Sequence, residues 1–389
     1  MIEQARALQD RLSAWRRAIH MHPEPGFQEI NTAALVAEAL REAGIRVETG
    51  IGGTGVVGYL GQGPPTVALR ADMDALPIQE LNDVPYASQV PGMMHACGHD
   101  AHVAILLGAA TLLANAPPSR GQVRFLFQPS EEGMGQDGKS GAMRMIEDGA
   151  LEGVDAIFGL HVFPDIPVGT VGVIPGPAFA AADSFHLVIR GQGGHGAYPH
   201  RTVDPIVISA QVIIAIQTIV ARRLRPFDSG VITVGSIHGG TKSNIIPEEV
   251  KLNGTIRSFR PEVRDLLHAE LERACGIARV LGGDFVLQIG EGYPPTVNDA
   301  RMAAFVREVA SELLGADKVH TPDPEMGAED FSFFLERVPG CYFRLGTGSP
   351  GGPMVGLHSP HFDIDETALP VGGAVLSEIA RRYLQEQPQ

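Results

Sequence analysis

The chain has 389 residues, with 30 Lys and Arg against 45 Asp and Glu, for a formal net charge of −15. That length allows two domains, each with its own core. The acidic balance argues against nucleic acid or anionic lipid as partners, because both need clustered cations.

The N-terminus, MIEQARALQDRLSAWRR, is amphipathic and charged and lacks the apolar block of a signal peptide, which places the protein in the cytoplasm. Residues 1 to 43 read as two helices broken at HMHPEPGF, where two prolines and a glycine stop the first. Gly53, Gly55 and Gly58 match G-x-G-x-x-G, but a dinucleotide-binding loop should open a helix and here a β-branched run follows. The stretch reads as a turn feeding a strand. Short β-like runs VVGYL and TVALRADMD come next, then a helix from about Ala101 to Ala114, the strand VRFLFQPSEEG with its abrupt acidic end, a helix near Ala142 to Asp148, and the strand DAIFGLH. Strands alternating with helices indicate a βαβ-type sheet, whose functional groups gather at strand C-terminal ends.

Around Pro177 the texture changes. SFHLVIRGQGG alternates like a half-exposed strand, and an apolar helix follows from Val203 to Ala221. That helix contains Asp204, Gln211 and Gln217, so it reads as a buried or interface helix and not a membrane span. SGVITVGSIHGG, EEVKLNGTIRSF, a helix from Pro261 to Leu281 and DFVLQIG complete a β-α-β-β-α-β order, the signature of a ferredoxin-like α+β domain. Residues 178–293 therefore read as an insertion, with 1–177 and 294–389 forming the domain that carries it.

Three cysteines are too few for a disulfide framework, and a reducing compartment leaves a thiolate free for metal. Cys97 and His99, in HACGHDAH, precede a helix whose backbone N–H groups and dipole should lower the thiol pKa. Thiolate and imidazole suit zinc-like metals. His95 and His102 are close by, but four ligands from one motif would overfill a single site. Glu131 and Glu132 end an apolar strand, where one carboxylate on a metal and one handling protons would explain the paired charges. His161 ends DAIFGLH and His358 lies in GLHSPHFD. Each of the five, Cys97, His99, Glu132, His161 and His358, follows or adjoins a predicted strand end on the same sheet. That convergence points to a metal centre.

RADMDALP, MHACGHDAH, FQPSEEG, FGLH, GGHGAYPH, TKSNIIP, GTIRS, MGAEDFSFF and GLHSPHF occur in an order and spacing that resemble the aminoacylase and hippurate hydrolase family of metallopeptidases, including the plant indole-acetyl-amino-acid hydrolases. The resemblance covers essentially the whole chain. It implies a mixed-sheet α/β catalytic domain with an inserted ferredoxin-like lid and dimerisation domain, and metal-dependent hydrolysis of the amide bond of N-acyl amino acids. It implies two divalent ions per subunit, Zn or Mn with Co or Ni also tolerated, bridged by Cys97 and held by His99, Glu132, His161 and His358. Glu131 resembles the general base and Asp74 the aspartate that supports the metal site. Relatives carry a metal-binding histidine two residues before that aspartate, and here the position is Asp72, taken as a non-ligand. His195 resembles an oxyanion donor that in many relatives comes from a partner subunit. Asn244 and Arg257 match positions near the substrate carboxylate. Arg16, His20, Pro23 and Glu24 match an N-terminal pattern that reads as structural. A small acylated amino acid as substrate and a homodimer or higher homo-oligomer through the inserted domain complete the expectation. The alternatives are a dipeptidase or carboxypeptidase on the same fold, and a non-catalytic binding protein.

Overall fold

In the computed structural model, which describes residues 1–349, 351 and 355–386, the elements follow in chain order. The first half runs α1 (Ile2–Arg6), α2 (Gln9–His20), α3 (Ile30–Glu42), β1 (Arg46–Ile51), β2 (Gly55–Gln62), β3 (Thr66–Asp72), α4 (His99–Asn115), β4 (Gly121–Gln128), α5 (Gly141–Glu147), β5 (Ala156–Pro167), β6 (Val171–Gly172) and β7 (Gly176–Phe179). Then come β8 (Ala181–Arg190), β9 (Gly194–His195), α6 (Pro205–Arg223), β10 (Gly230–Gly239), β11 (Ile245–Ile246), β12 (Glu249–Ser258), α7 (Pro261–Cys275), α8 (Ile277–Val280) and β13 (Asp284–Gly290). The last part holds β14 (Thr296–Asn298), α9 (Ala300–Leu314), β15 (Val319–His320), α10 (Phe331–Leu335), β16 (Gly340–Gly348) and α11 (Leu369–Glu386).

The chain divides into two compact units. The first comprises Met1–Gly176, Val297–Asp323 and the residues from Asp330 on. Its sheet has the strand order β1-β2-β4-β3-β5-β16-β6-β15. β3 is parallel to β4 and to β5, β5 is parallel to β16, and β1 and β2 form an antiparallel hairpin at one edge. The sheet is therefore mixed and the fold class α/β. All seven residues of β3 are buried, as befits a parallel strand covered on both faces. α4 is buried from His99 to Leu113, packed between the sheet and α2, α3 and α11. A helix that is apolar around its whole circumference belongs in an interior.

The glycine-rich stretch at 53–58 is the turn of the β1–β2 hairpin, where Ile51 pairs with Gly55, so it opens a strand and no helix. Two expectations shift. α4 begins at His99, which puts this histidine inside the helix rather than before it. β5 does not stop at His161 but runs on to Pro167, because β16 keeps pairing with it beyond Val162 and Phe163.

The second unit comprises Pro177–Thr296 and Pro324–Glu329. Its four-stranded sheet, β10-β12-β8-β13, is antiparallel throughout, and α6, α7 and α8 pack on it. β8 alternates between buried and more open positions, the period of a strand with one covered face. α6 buries Ile208, Val212, Ile216 and Ile219 in that core and leaves Ile206, Val207, Ile214 and Val220 exposed. By length and composition alone α6 could cross a membrane, yet one of its faces is committed to the core of this unit.

Candidate metal centre

The registers of three parallel strands bring the first chemistry together. Arg70 of β3 pairs with Gly159 of β5, and Asp72 of β3 pairs with Gln128 of β4. Two residues further along, Asp72 and His161 lie level on neighbouring strands, while Asp74, Glu131 and Glu132 follow just beyond the ends of β3 and β4. The loop from Met73 to Gly98 then returns to the start of α4, which supplies Cys97 and His99. Gly98 turns that corner with φ +86°, and a Cβ there would lie 2.4 Å from Val162 Cγ2, so only glycine fits.

Hydrogen bonds fix which nitrogen each histidine presents. His161 Nδ1 donates to Val162 O at 2.8 Å, leaving Nε2 as a lone pair 3.4 Å from Cys97 Sγ. His99 Nδ1 donates to Asp74 Oδ1 at 3.2 Å, and its buried Nε2 has no hydrogen-bond partner among the described residues. His102 is occupied on both sides: Val162 N–H donates to its Nε2 at 3.0 Å, and its Nδ1 donates to Asp72 Oδ1 at 2.6 Å. His102 thus has no lone pair to offer a cation. His95 is buried with both ring nitrogens unbonded, and burial pushes it down to about 4, so it is neutral.

The donor atoms of Cys97, His99 and His161 lie within 4.8 Å of one another, and so do those of Cys97, Glu132 and His358. The two triads share Cys97 Sγ. Sulfur and nitrogen on one tetrahedral zinc ion stand about 3.5 Å apart at ordinary bond lengths, close to the Cys97–His161 spacing. His358 Nε2 is 3.1 Å from Glu132 Oε1. The His358 backbone, at φ +62°, is pinned by its N–H donating to Ala96 O at 2.8 Å. The arrangement therefore suits two cations on either side of one sulfur.

Electrostatics agree with a cation site. Burial pushes the His99 imidazole down, but Asp72 and Asp74 more than offset this and raise it to about 10. Such a proton on Nε2 would have no acceptor, and a cation can take its place. The Cys97 thiol does not show the lowered pKa expected at a helix start. Burial, then Glu132 and Glu131, push it well above its ordinary value, because two carboxylates and desolvation outweigh a partial dipole charge. Desolvation also raises the Asp74 carboxyl, but hydrogen bonds from His99 and from the Glu131 and Glu132 backbones bring it below the usual range.

Asp74 does more than hold His99. Its Oδ1 accepts the Glu131 N–H at 3.0 Å and its Oδ2 accepts the Glu132 N–H at 2.9 Å. The turn that presents both glutamates is thereby fastened through its backbone. Glu131 is buried beside His99 and Glu132. Asp72 is the position that the resemblance leaves as a non-ligand. It is fully buried, paired with Arg70 Nη1 at 2.6 Å as well as with His102.

His195, Asn244 and Arg257 all belong to the second unit. β9 and β11 pair His195 with Ile245, and Gly196 N–H donates to Asn244 O at 2.9 Å, which sets His195 and Asn244 side by side. Ala197 N–H donates to His195 Nδ1 at 3.1 Å, so in this exposed side chain the proton belongs on Nε2, which is left as a donor. Arg257, on β12, is half-buried and its pKa is lowered by that burial. Sequence reasoning passed over Arg70, whose signal was limited to a charged residue inside a β-rich run, and weighed His102 only as a surplus ligand, which its two hydrogen bonds bear out. Arg16, read as structural, is fully buried among Asp100 at 2.8 Å, Asp363 at 2.8 Å and Glu366 at 3.2 Å. Glu24 accepts the Asn31 and Thr32 N–H groups at the start of α3.

The profile of Peptidase family M20/M25/M40 matches residues 68–382. The chain belongs to the M20 peptidase family. Thermostable carboxypeptidase 1 of Saccharolobus solfataricus is 42% identical over 388 residues, covering 97% of this chain and 96% of its own. The N-acetyl-L-cysteine deacetylase of Bacillus subtilis is 41% identical over 389 residues, covering 98% and 90%. The crystal structure of the Bacillus subtilis YXEP protein, a dinuclear metal-binding peptidase of family M20, superposes with a TM-score of 0.85 at 35% identity, covering 98% of this chain and all of that one. This M20 protein is accordingly a hydrolytic enzyme, and its ligand groups support two metal ions.

Proposed function

We propose that the protein hydrolyses the amide bond of N-acyl amino acids, releasing a carboxylic acid and a free amino acid, with Glu131 as general base. The observation that supports this most is the pair of donor triads sharing Cys97 Sγ, with the buried Glu131 carboxylate alongside. Cys97, His99, Glu132, His161 and His358 would hold the two ions, with zinc and manganese favoured by the mixture of thiolate, imidazole and carboxylate donors. Such ions, when bound, polarise an amide carbonyl and bring the ionisation of water toward neutral pH.

Glu131 accepts a proton from the attacking water and passes it to the departing amine nitrogen, which cannot leave as an anion. Asp74 holds His99 in the tautomer that presents Nε2 and keeps the Glu131–Glu132 backbone in place. His195, protonated on Nε2, is assigned as the hydrogen-bond donor to the developing oxyanion, and Asn244 and Arg257 as binders of the substrate carboxylate. The outward face of α6, with Ile206, Val207, Ile214 and Val220, is assigned to pairing with a second copy of the chain.

The deacetylase relative, and the IAA-amino acid hydrolase ILR1-like 4 of Arabidopsis thaliana at 41% identity over 379 residues, support an acyl-amino acid substrate. The carboxypeptidase relative supports a second reading in which the acyl group is itself an amino acid. Turnover of N-acetyl, N-benzoyl and dipeptide substrates by manganese- and zinc-loaded protein separates the two. Turnover of dipeptides alone would overturn the first.

A further inference from the structure

Ser130, Glu131 and Glu132 form the acidic turn after β4, and their three successive N–H groups all end on buried carboxylates. Asp74 takes those of Glu131 and Glu132. Ser130 N–H donates at 2.8 Å to Oε1 of Glu29, a residue 101 positions away in sequence and fully buried. The other oxygen, Oε2, accepts the Thr54 hydroxyl. Ser130 sits at φ +43°, a conformation that a residue with a side chain adopts only when its surroundings hold it there. Those surroundings are specific. Besides Glu29, Gly133 O accepts the Ser130 hydroxyl at 3.0 Å, and Ser130 O accepts the Gly141 N–H at 3.0 Å.

Glu29 reaches this turn because the segment before it is laid against β3's exit. Ala75 N–H donates to Glu24 O at 2.8 Å, and Pro25 bridges to Ala75. Phe27 then turns through φ +61° under the Arg144 guanidinium, 3.8 Å from the ring centroid. At Gly26 a Cβ would stand 2.3 Å from Ser130 Oγ, so the segment and the turn touch directly. Every one of these residues lies in the first unit.

We propose that Glu29 is a positioning residue for the reaction, completing with Asp74 a two-carboxylate clamp on the backbone that aims Glu131 and Glu132. The proposal rests on the reading of Glu131 as base and Glu132 as ligand. Because burial, aided by the Asp74 charge, pushes the Glu29 carboxyl up to about 7, glutamine is a close mimic of its protonated form. Glu29→Gln keeps an oxygen for Ser130 N–H. Glu29→Asp keeps the charge but is one methylene too short to reach, and Glu29→Ala keeps neither.

The test is steady-state hydrolysis of an N-acetyl amino acid by zinc-saturated full-length variants, together with zinc affinity from competition with a chromophoric chelator. Glu29→Ala and Glu29→Asp should lose at least tenfold in kcat with KM within threefold, and bind the weaker zinc about tenfold less tightly, the usual scale for losing an outer support of a metal ligand. Glu29→Gln should return to within threefold of the parent in both. Parental kcat and zinc affinity in Glu29→Asp would overturn the proposal, as would a Glu29→Gln no better than Glu29→Ala. If Glu29→Ala does not fold, the contrast between the Asp and Gln variants decides alone. Glu131→Gln, assayed alongside, keeps the two ideas separate. An active Glu131→Gln sinks the base assignment, whereas an inactive one beside a fully active Glu29→Asp sinks only the clamp.

Discussion

Replacing Asp74 by asparagine exchanges one acceptor oxygen for an NH2 group at a position where every neighbour is a donor. Oδ1 takes two hydrogen bonds, from His99 Nδ1 and Glu131 N, and Oδ2 takes one, from Glu132 N. The asparagine will place its remaining oxygen where two bonds survive, so the NH2 will face the Glu132 N–H. The lost interaction is a hydrogen bond to a charged acceptor, about 1.5–3 kcal/mol, and it leaves a buried donor unmatched. It falls on the backbone of Glu132 and spares the His99 contact. Asp74→Asn should therefore weaken binding of the ion proposed at Cys97, Glu132 and His358 by roughly 10–100-fold, and of the ion proposed at Cys97, His99 and His161 much less. Asp74→Ala, which removes all three acceptors, should weaken both. Zinc titration by calorimetry, with a chelator competing in the tighter step, resolves the two affinities. Equal weakening of both steps by Asp74→Asn, or none, would refute the assignment of separate duties to the two oxygens.

Other outcomes follow from the same geometry. Glu131→Gln should keep two metals per chain by elemental analysis and lose about 10²–10⁴ in kcat; normal turnover would remove Glu131 from the mechanism. Cys97→Ala should lose at least one of the two metals, since both triads use its sulfur, and an unchanged content would show that the sulfur is no bridge. Burial lowers the pKa of His20, but Asp100 by charge and hydrogen bond, with Glu80, raises it to about 9. Its contribution to stability is complete below its ordinary pKa near 6.5 and is lost as pH rises through about 9, by about 3 kcal/mol if the whole shift is expressed. Denaturant unfolding at pH 6.5 and pH 9.5 should show that fall in the parent and a flatter profile in His20→Gln. Ile214→Glu, on the open face of α6, should convert a dimer into monomers by light scattering without changing the metal content; a variant that stays dimeric would move the pairing surface elsewhere.

Much of the fold is legible in the sequence because period and punctuation agree with burial. The β-α-β-β-α-β order of the second unit follows from alternating strands and one long apolar helix, and the α/β sheet of the first from strands such as TVALRADMD and DAIFGLH that alternate with helices. Partner-dependent features are not legible. His161 reads as a strand end because glycine and histidine interrupt an apolar run, yet β16 carries β5 onward by supplying hydrogen bonds. The Cys97 thiol reads as acidic from its place before a helix, but burial first, and then Glu132 and Glu131 from a different strand end, push its pKa up. Glu29 resembles any helix-start carboxylate until the fold sets it against Ser130.

Asp72 departs from the pattern that the family resemblance implies and has a supporting duty of its own. The family resemblance implies a ligating histidine at this position, and an aspartate there could bind a cation equally well. Here its two oxygens are committed, one to Arg70 and one to His102. His99 Nε2 lies 3.7 Å from the same carboxylate, so Asp72 stands next to a candidate ligand without being one. The carboxylate acquires a different duty. It fixes the His102 tautomer, His102 receives the Val162 N–H, and Val162 O receives His161 Nδ1. Val162, next to His161, is thus held at both its N–H and its carbonyl. The carboxylate at the end of β3 supports the neighbouring candidate ligand instead of joining it.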